Sequence, residues 1–248
     1  MRCAYSSITC PAEDDVPWHS GGDIVAVVET PTATRVLVGD VMGHGPLAGE
    51  TAAEVRRAFR HIAADEEDPT PVIAARLDRL VAGLEGQAHR EEFVTAQLID
   101  IPRGLGADAE LSIVSCGHPP PLLLSRDGAT FLDAISPAPP LGLLDLAGGA
   151  CPRPSLHGAR AGDMMLLYTD GVTEARSSTG ATYPLAKRAA TVSRELTREF
   201  NGATTGTALI EALRTGLIAH IGGKLRDDAT LMYLQFADET RSIFLAAE

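Results

Sequence analysis

The stretch that decides the fold is Arg35–Val36–Leu37–Val38–Gly39–Asp40–Val41–Met42–Gly43–His44–Gly45–Pro46. A short apolar run rich in β-branched residues reads as a buried strand, and it ends on an aspartate. Glycines at 39, 43 and 45 let the backbone turn sharply and approach a ligand. Pro46 suits the first turn of a helix, where its missing N–H costs nothing. A carboxylate is thus left at the mouth of a strand beside bare backbone, a setting for a hard cation that wants oxygen ligands. On this segment alone Asp40 is equally readable as an ordinary turn residue. The decision depends on whether other aspartates share its placement.

One does so immediately upstream. Gly21–Gly22–Asp23 leads into the apolar run Ile24 to Val28, and Thr30–Pro31–Thr32 turns the chain back into the Asp40 strand. An antiparallel pair with that turn brings the start of one strand beside the end of the next. Asp23 and Asp40 are therefore predicted to be neighbours. Two close carboxylates need a cation or a shared proton.

Two further sites lie far along the chain. Gly162–Asp163 opens the fully apolar run Met164 to Tyr168, which ends in Thr169–Asp170–Gly171. Arg226–Asp227–Asp228 precedes Ala229 to Phe236, another run with no polar face. Both read as central strands. Between the two halves, Leu47, Thr51, Val55, Ala58 and Ile62 fall at helical spacing, and so do Ile73, Leu77, Leu80 and Leu84 after Thr70–Pro71. These helices read as layers that cover the core. Residues 2–9 read as a first strand and 11–20 as a loop. Strands are expected over 93–101, 111–115 and 122–124, an ordered Pro/Gly-rich loop over 133–158, and helices over 184–200 and 207–221. His118, in Gly117–His118–Pro119–Pro120–Pro121, reads as a hydrogen-bonded turn histidine that anchors a rigid connection.

Bulk properties narrow the function. The 248 residues carry 33 acidic against 21 basic side chains, a formal charge of −12, which argues against nucleic acid or an anionic membrane as partner. No segment has a signal-peptide pattern or membrane-spanning length. The four cysteines form no Cys-x-x-Cys pair, so free thiols in a reducing cytoplasm are expected. With no repeat, low-complexity tract or linker, residues 1–248 read as one domain.

Four aspartate sites at the ends of apolar strands suggest strand ends converging on a carboxylate cluster. Carboxylates with few histidines select Mg²⁺ or Mn²⁺ over zinc. Paired ions of this kind acidify a water and clamp a phosphoryl group during in-line displacement. Other phosphate chemistries lack their residues. No cysteine is followed six positions later by arginine, no Asp-x-Asp pair exists, and no Gly-x4-Gly-Lys-[Ser/Thr] loop occurs. Gly21–Gly22–Asp23 is not followed by the Glu–Phe of a diguanylate cyclase.

Taken in order, the motifs resemble the SpoIIE/RsbU-type branch of the PPM (PP2C-like) serine/threonine phosphatases. They are Gly21–Gly22–Asp23, Gly39–Asp40–Val41–Met42–Gly43–His44–Gly45, Phe93–Val94–Thr95, Gly117–His118–Pro119–Pro120, Pro140–Leu141–Gly142, Gly162–Asp163 through Leu167–Tyr168–Thr169–Asp170–Gly171–Val172–Thr173–Glu174, and Asp227–Asp228–Ala229–Thr230. The set spans nearly the whole chain. The resemblance implies an α+β fold, a four-layer α-β-β-α sandwich of two antiparallel sheets with the metal site at one end.

It further implies that Asp23 and Asp40 carry catalysis by holding two Mn²⁺ or Mg²⁺ ions. Asp40 would bridge them, Val41 would contribute its backbone carbonyl, and Asp170 and Asp227 would complete one shell. Asp228 is either a ligand or a partner of one. A metal-activated water would attack phosphorus directly. The implied substrate is a phosphorylated STAS-domain anti-sigma factor antagonist in a cytoplasmic partner-switching circuit, and a homodimer is compatible with this. Ile24–Val25–Ala26 depart from the family, which usually has an aromatic and then an acidic residue there. That departure bears on partner recognition or metal affinity near Asp23. The runner-up reading is a pseudophosphatase that binds a partner without turnover. A hydrolase of a small phosphorylated molecule is a third reading.

Overall fold

Apolar strands without polar alternation need cover on both faces, and the layering supplies it. The computed structural model describes residues 2–10, 21–43, 45–88, 93–103, 108–148, 151–199, 206–222, 225 and 228–237. Strands β1 (Arg2–Cys10), β2 (Asp23–Glu29) and β3 (Ala33–Val41) come first, followed by helices α1 (Pro46–Ile62) and α2 (Thr70–Ala88). Next are β4 (Val94–Pro102), β5 (Asp108–Cys116), β6 (Leu122–Ser125), β7 (Gly128–Phe131), a 3-10 turn at Leu144–Ala147, and β8 (Ser155–Arg160). The chain continues through β9 (Met164–Tyr168), the short α3 (Asp170–Thr173), α4 (Leu185–Glu199), α5 (Gly206–Ile221) and β10 (Ala229–Ala237).

The strands form two five-stranded sheets, ordered β2-β3-β4-β5-β8 and β1-β10-β9-β6-β7, with every strand pairing antiparallel. Side chains alternate faces along each strand, so one strand feeds two cores. In β3, Val36 and Val38 face the other sheet, while Leu37 and Val41 pack under α1 and α2. In β9, Met165 and Leu167 point between the sheets, while Met164, Leu166 and Tyr168 pack under α4 and α5. Three cores in four layers result, the α-β-β-α sandwich expected from the sequence. Truncating a fully buried side chain such as Leu37 to alanine would cost about 2–5 kcal/mol.

Polar anchors fix the helices to the first sheet. Arg35 is buried in β3, and its guanidinium donates to the Ala63 carbonyl (3.0 Å) and the Asp65 carbonyl just past the end of α1. These are carbonyls the helix cannot satisfy itself, and a cation suits that end. Its Nε lies 3.4 Å from Asp100 Oδ2, a carboxyl that burial holds above its ordinary value despite the arginine.

The expected loop over 133–158 needs correction. Its last residues enter β8, which adds to the edge of the first sheet by pairing Ser155–Arg160 with β5. The sequence hid this strand because Leu156, His157, Gly158 and Arg160 at an edge show no continuous apolar signature. The hairpin partner β7 was also unread, being four residues with Gly128 and Thr130.

Candidate metal centre

Asp23, at the first position of β2, stands directly opposite Asp40, near the end of β3. The adjacency predicted from the Thr30–Thr32 turn is present. Close backbone approach then brings the other motif residues to the same end. A Cβ placed on Gly22 would lie 2.7 Å from Asp40 Oδ1 and 2.9 Å from the Val41 carbonyl oxygen, so those two oxygens flank one small cradle. A Cβ on Gly21 would lie 1.8 Å from Asp228 Oδ2. The Gly–Gly pair before Asp23 is therefore a requirement of the oxygens around it.

The β9–β10 pairing gathers the remaining motif. Thr169 donates its backbone N–H to the Thr230 carbonyl at 3.1 Å, and Thr230 returns its N–H to the Thr169 hydroxyl at 2.9 Å. Gly171 packs so closely on the Asp228 carbonyl that a Cβ would come within 1.9 Å of that oxygen. Asp170 therefore begins α3 beside the start of β10, as the strand-end reading required. Asp227 and His44 lie outside the described residues.

Asp23 is held across the two sheets. Its Oδ2 accepts the Thr230 hydroxyl at 2.6 Å and the Thr169 hydroxyl at 3.1 Å. Its backbone carbonyl accepts from Arg56 of α1 at 3.0 Å. Arg56 is held below its ordinary pKa by burial and then by Arg60. Sequence reading missed Thr169 and Thr230 as partners of Asp23. The available signal was a threonine beside each downstream aspartate motif, Thr169–Asp170 and Asp228–Ala229–Thr230.

His118 is hydrogen-bonded through both ring nitrogens, as a turn histidine should be. The Tyr168 carbonyl can only accept, so Nε2 carries the proton and donates to it at 3.0 Å. Nδ1 then accepts from the Thr95 hydroxyl at 2.9 Å. Burial lowers the His118 pKa to about 4, which keeps the ring neutral near pH 7. The neighbouring Pro140–Leu141–Gly142 loop is tied down twice. Leu141 exchanges backbone hydrogen bonds with Val94, and buried Asp78 of α2 accepts from the N–H groups of Gly142 (2.7 Å) and Leu144 (3.1 Å).

The donor set of Asp23, Asp40, Asp170, Asp228 and the Val41 carbonyl consists of oxygens alone, which fits a hard divalent cation. The Gly22 cradle gives such an ion an approach to Asp40 and Val41 free of side-chain cover. Among the described residues, no three His, Cys, Asp or Glu side chains yet converge at metal-binding distance. Desolvation, and then the charge of Glu174, raise the Asp170 carboxyl above the ordinary aspartate value. A cation nearby would favour the ionised form.

The comparisons agree with this fold. The family model described as Stage II sporulation protein E (SpoIIE) matches residues 30–237. The RsbU and RsbW domains of Rv1364c from Mycobacterium tuberculosis superpose with a TM-score of 0.72 at 23% identity, over 95% of this chain and 60% of that one. The PP2C phosphatase domain of SpoIIE from Bacillus subtilis, with a fragment of its regulatory domain, gives 0.70 at 17% identity, over 95% of this chain and 64% of that one. The catalytic domain of the serine/threonine phosphatase PstP, in complex with two manganese ions, gives 0.60 at 16% identity, over 95% and 99%. The chain thus spans less than two thirds of the first two structures. With the ordered motifs and the two-sheet sandwich, the match places this chain in the SpoIIE family.

Proposed function

We propose that this chain hydrolyses phosphoserine and phosphothreonine on a protein substrate, using two divalent cations, Mn²⁺ or Mg²⁺. The observation that carries the reading is the pairing of Asp23 with Asp40 beside a cradle that only glycine at position 22 leaves open. When bound, the ions would lower the pKa of water and neutralise charge on the phosphoryl oxygens. Asp23, Asp40, the Val41 carbonyl and Asp170 would hold them, with Asp227 and Asp228 contributing from the start of β10. The two threonine hydroxyls on Oδ2 would set the direction in which the Asp23 carboxylate faces the ions.

The substrate we propose is a phosphorylated STAS-domain anti-sigma factor antagonist acting in a cytoplasmic partner-switching circuit, with 1–248 serving as one phosphatase domain. Support comes from the family and from the pairing of RsbU with RsbW domains in the Mycobacterium tuberculosis neighbour. No described helix is long and apolar enough to cross a membrane. The test is release of phosphate from a phosphoserine STAS protein and from an aryl phosphate, each with Mn²⁺ and with chelator. Mn²⁺-dependent release from both supports the proposal; release from the aryl phosphate alone points to another substrate.

A pseudophosphatase is the second reading. It is favoured by the engagement of Asp23 Oδ2 with two threonines and by Ile24–Val25–Ala26 in place of the family's aromatic and acidic residues. Metal-dependent turnover of any phosphoester excludes it.

A further inference from the structure

The two halves of the site belong to different sheets. Asp40 ends a strand of the first sheet, and Asp170 follows a strand of the second. The side chains packed between them, such as Val38 and Leu167, are apolar. Apolar packing is non-directional and does not by itself fix where two carboxylates stand. A directional link does exist at this edge. Thr95 lies opposite Asp40 in the β3–β4 register, and its hydroxyl gives its one proton to His118 Nδ1 at 2.9 Å, with the Asp40 carbonyl oxygen in contact at 3.3 Å. From the far side of the ring, Nε2 donates to the Tyr168 carbonyl at 3.0 Å, two residues before Asp170.

The histidine is itself immobilised. Gln97 donates from Nε2 to the His118 carbonyl (2.9 Å) and the Pro119 carbonyl (3.2 Å), and His118 is 6% exposed.

We propose that Thr95 and His118 form a strut between the sheets that sets the spacing of the Asp40 and Asp170 arms, and so are positioning residues for the divalent cations. The strut meets the Tyr168 carbonyl at one end and the β3–β4 register beside Asp40 at the other. Groups that orient metal ligands from behind typically carry a 10–100-fold share of metal affinity. The inference rests on the metal-dependent reading above.

The test is calorimetric titration of Mn²⁺ into wild type, Thr95→Val, Thr95→Ser and His118→Leu, with the fold of each metal-free protein checked by circular dichroism. Valine keeps the β-branched shape of threonine and removes only the hydroxyl. Thr95→Val is expected to weaken Mn²⁺ binding about tenfold or more, and Thr95→Ser to restore most of it. If His118→Leu does not fold, the two Thr95 variants decide the matter alone. Wild-type affinity in a folded Thr95→Val protein overturns the strut. Equal weakening in Thr95→Ser overturns it too, since the hydroxyl would then not be what matters. A wild-type chain that binds no Mn²⁺ overturns the metal-site reading itself, a result distinct from either.

Discussion

Thr230 donates its hydroxyl proton to Asp23 Oδ2 at 2.6 Å, joining residues 207 positions apart. Thr230 is fully buried, and it donates to a charged acceptor that is itself partly exposed. Thr230→Val would remove this donor and keep that of Thr169. Hydrogen bonds to charged groups are worth about 1.5–3 kcal/mol, and about 1 kcal/mol moves Tm by roughly 2–4 °C in a domain of this size. Thermal unfolding should show a drop of several degrees. An unchanged Tm would mean that Asp23 gains nothing from this partner.

Gly22→Ala tests the cradle. The added methyl would meet Asp40 Oδ1 and the Val41 carbonyl oxygen at 2.7 and 2.9 Å, inside ordinary contact distance. We expect Mn²⁺-dependent phosphatase activity to fall at least about tenfold, with far-ultraviolet circular dichroism unchanged. Retained activity would place the ions elsewhere.

Asp40→Asn keeps the shape of the side chain and removes its charge. Activity should fall to near the chelator-treated level of wild type, while the protein stays folded. Wild-type turnover in this variant, or full activity in excess chelator, would sink the two-ion mechanism.

His118 gives stability a pH dependence of definite sign. Its folded-state pKa is lowered from 6.5 to about 4 by burial. Between those values the unfolded chain binds a proton that the folded chain refuses, so the contribution is complete above pH 6.5 and is lost as pH falls toward 4. The loss is on the order of 3 kcal/mol at the acid end. Denaturant unfolding at pH 7 and pH 5 should show a smaller decline for His118→Gln than for wild type. Equal declines would mean that this ring is not the titrating group.

Cys116 is buried, and burial followed by the charge of Asp78 pushes its thiol up to about 12. A thiol in that state is a poor nucleophile. Cys116→Ser should leave turnover intact, and thiol reagents should modify exposed Cys151 before Cys116. Loss of turnover in a folded Cys116→Ser protein would contradict a mechanism based on activated water.

The sequence alone determined the central strands and the helices that cover them. A run such as Met164 to Tyr168 has no polar face, so both of its faces must be covered. The helical stripes of Leu77 and Val55 identify the layers that cover one side of the first sheet. The adjacency of Asp23 and Asp40 was also legible, because a short turn between two strands fixes register locally. Only the tertiary structure decided which polar groups meet across the sheets. Thr230 with Asp23, and His118 with Thr95 and Tyr168, are contacts between residues tens to hundreds of positions apart. They depend on how two twisted sheets stack, and no periodicity in the chain encodes that stacking. Edge strand β8 escaped for the complementary reason. It is half exposed, so its side chains carry no continuous apolar signature, and its backbone bonds to β5 are what make it a strand.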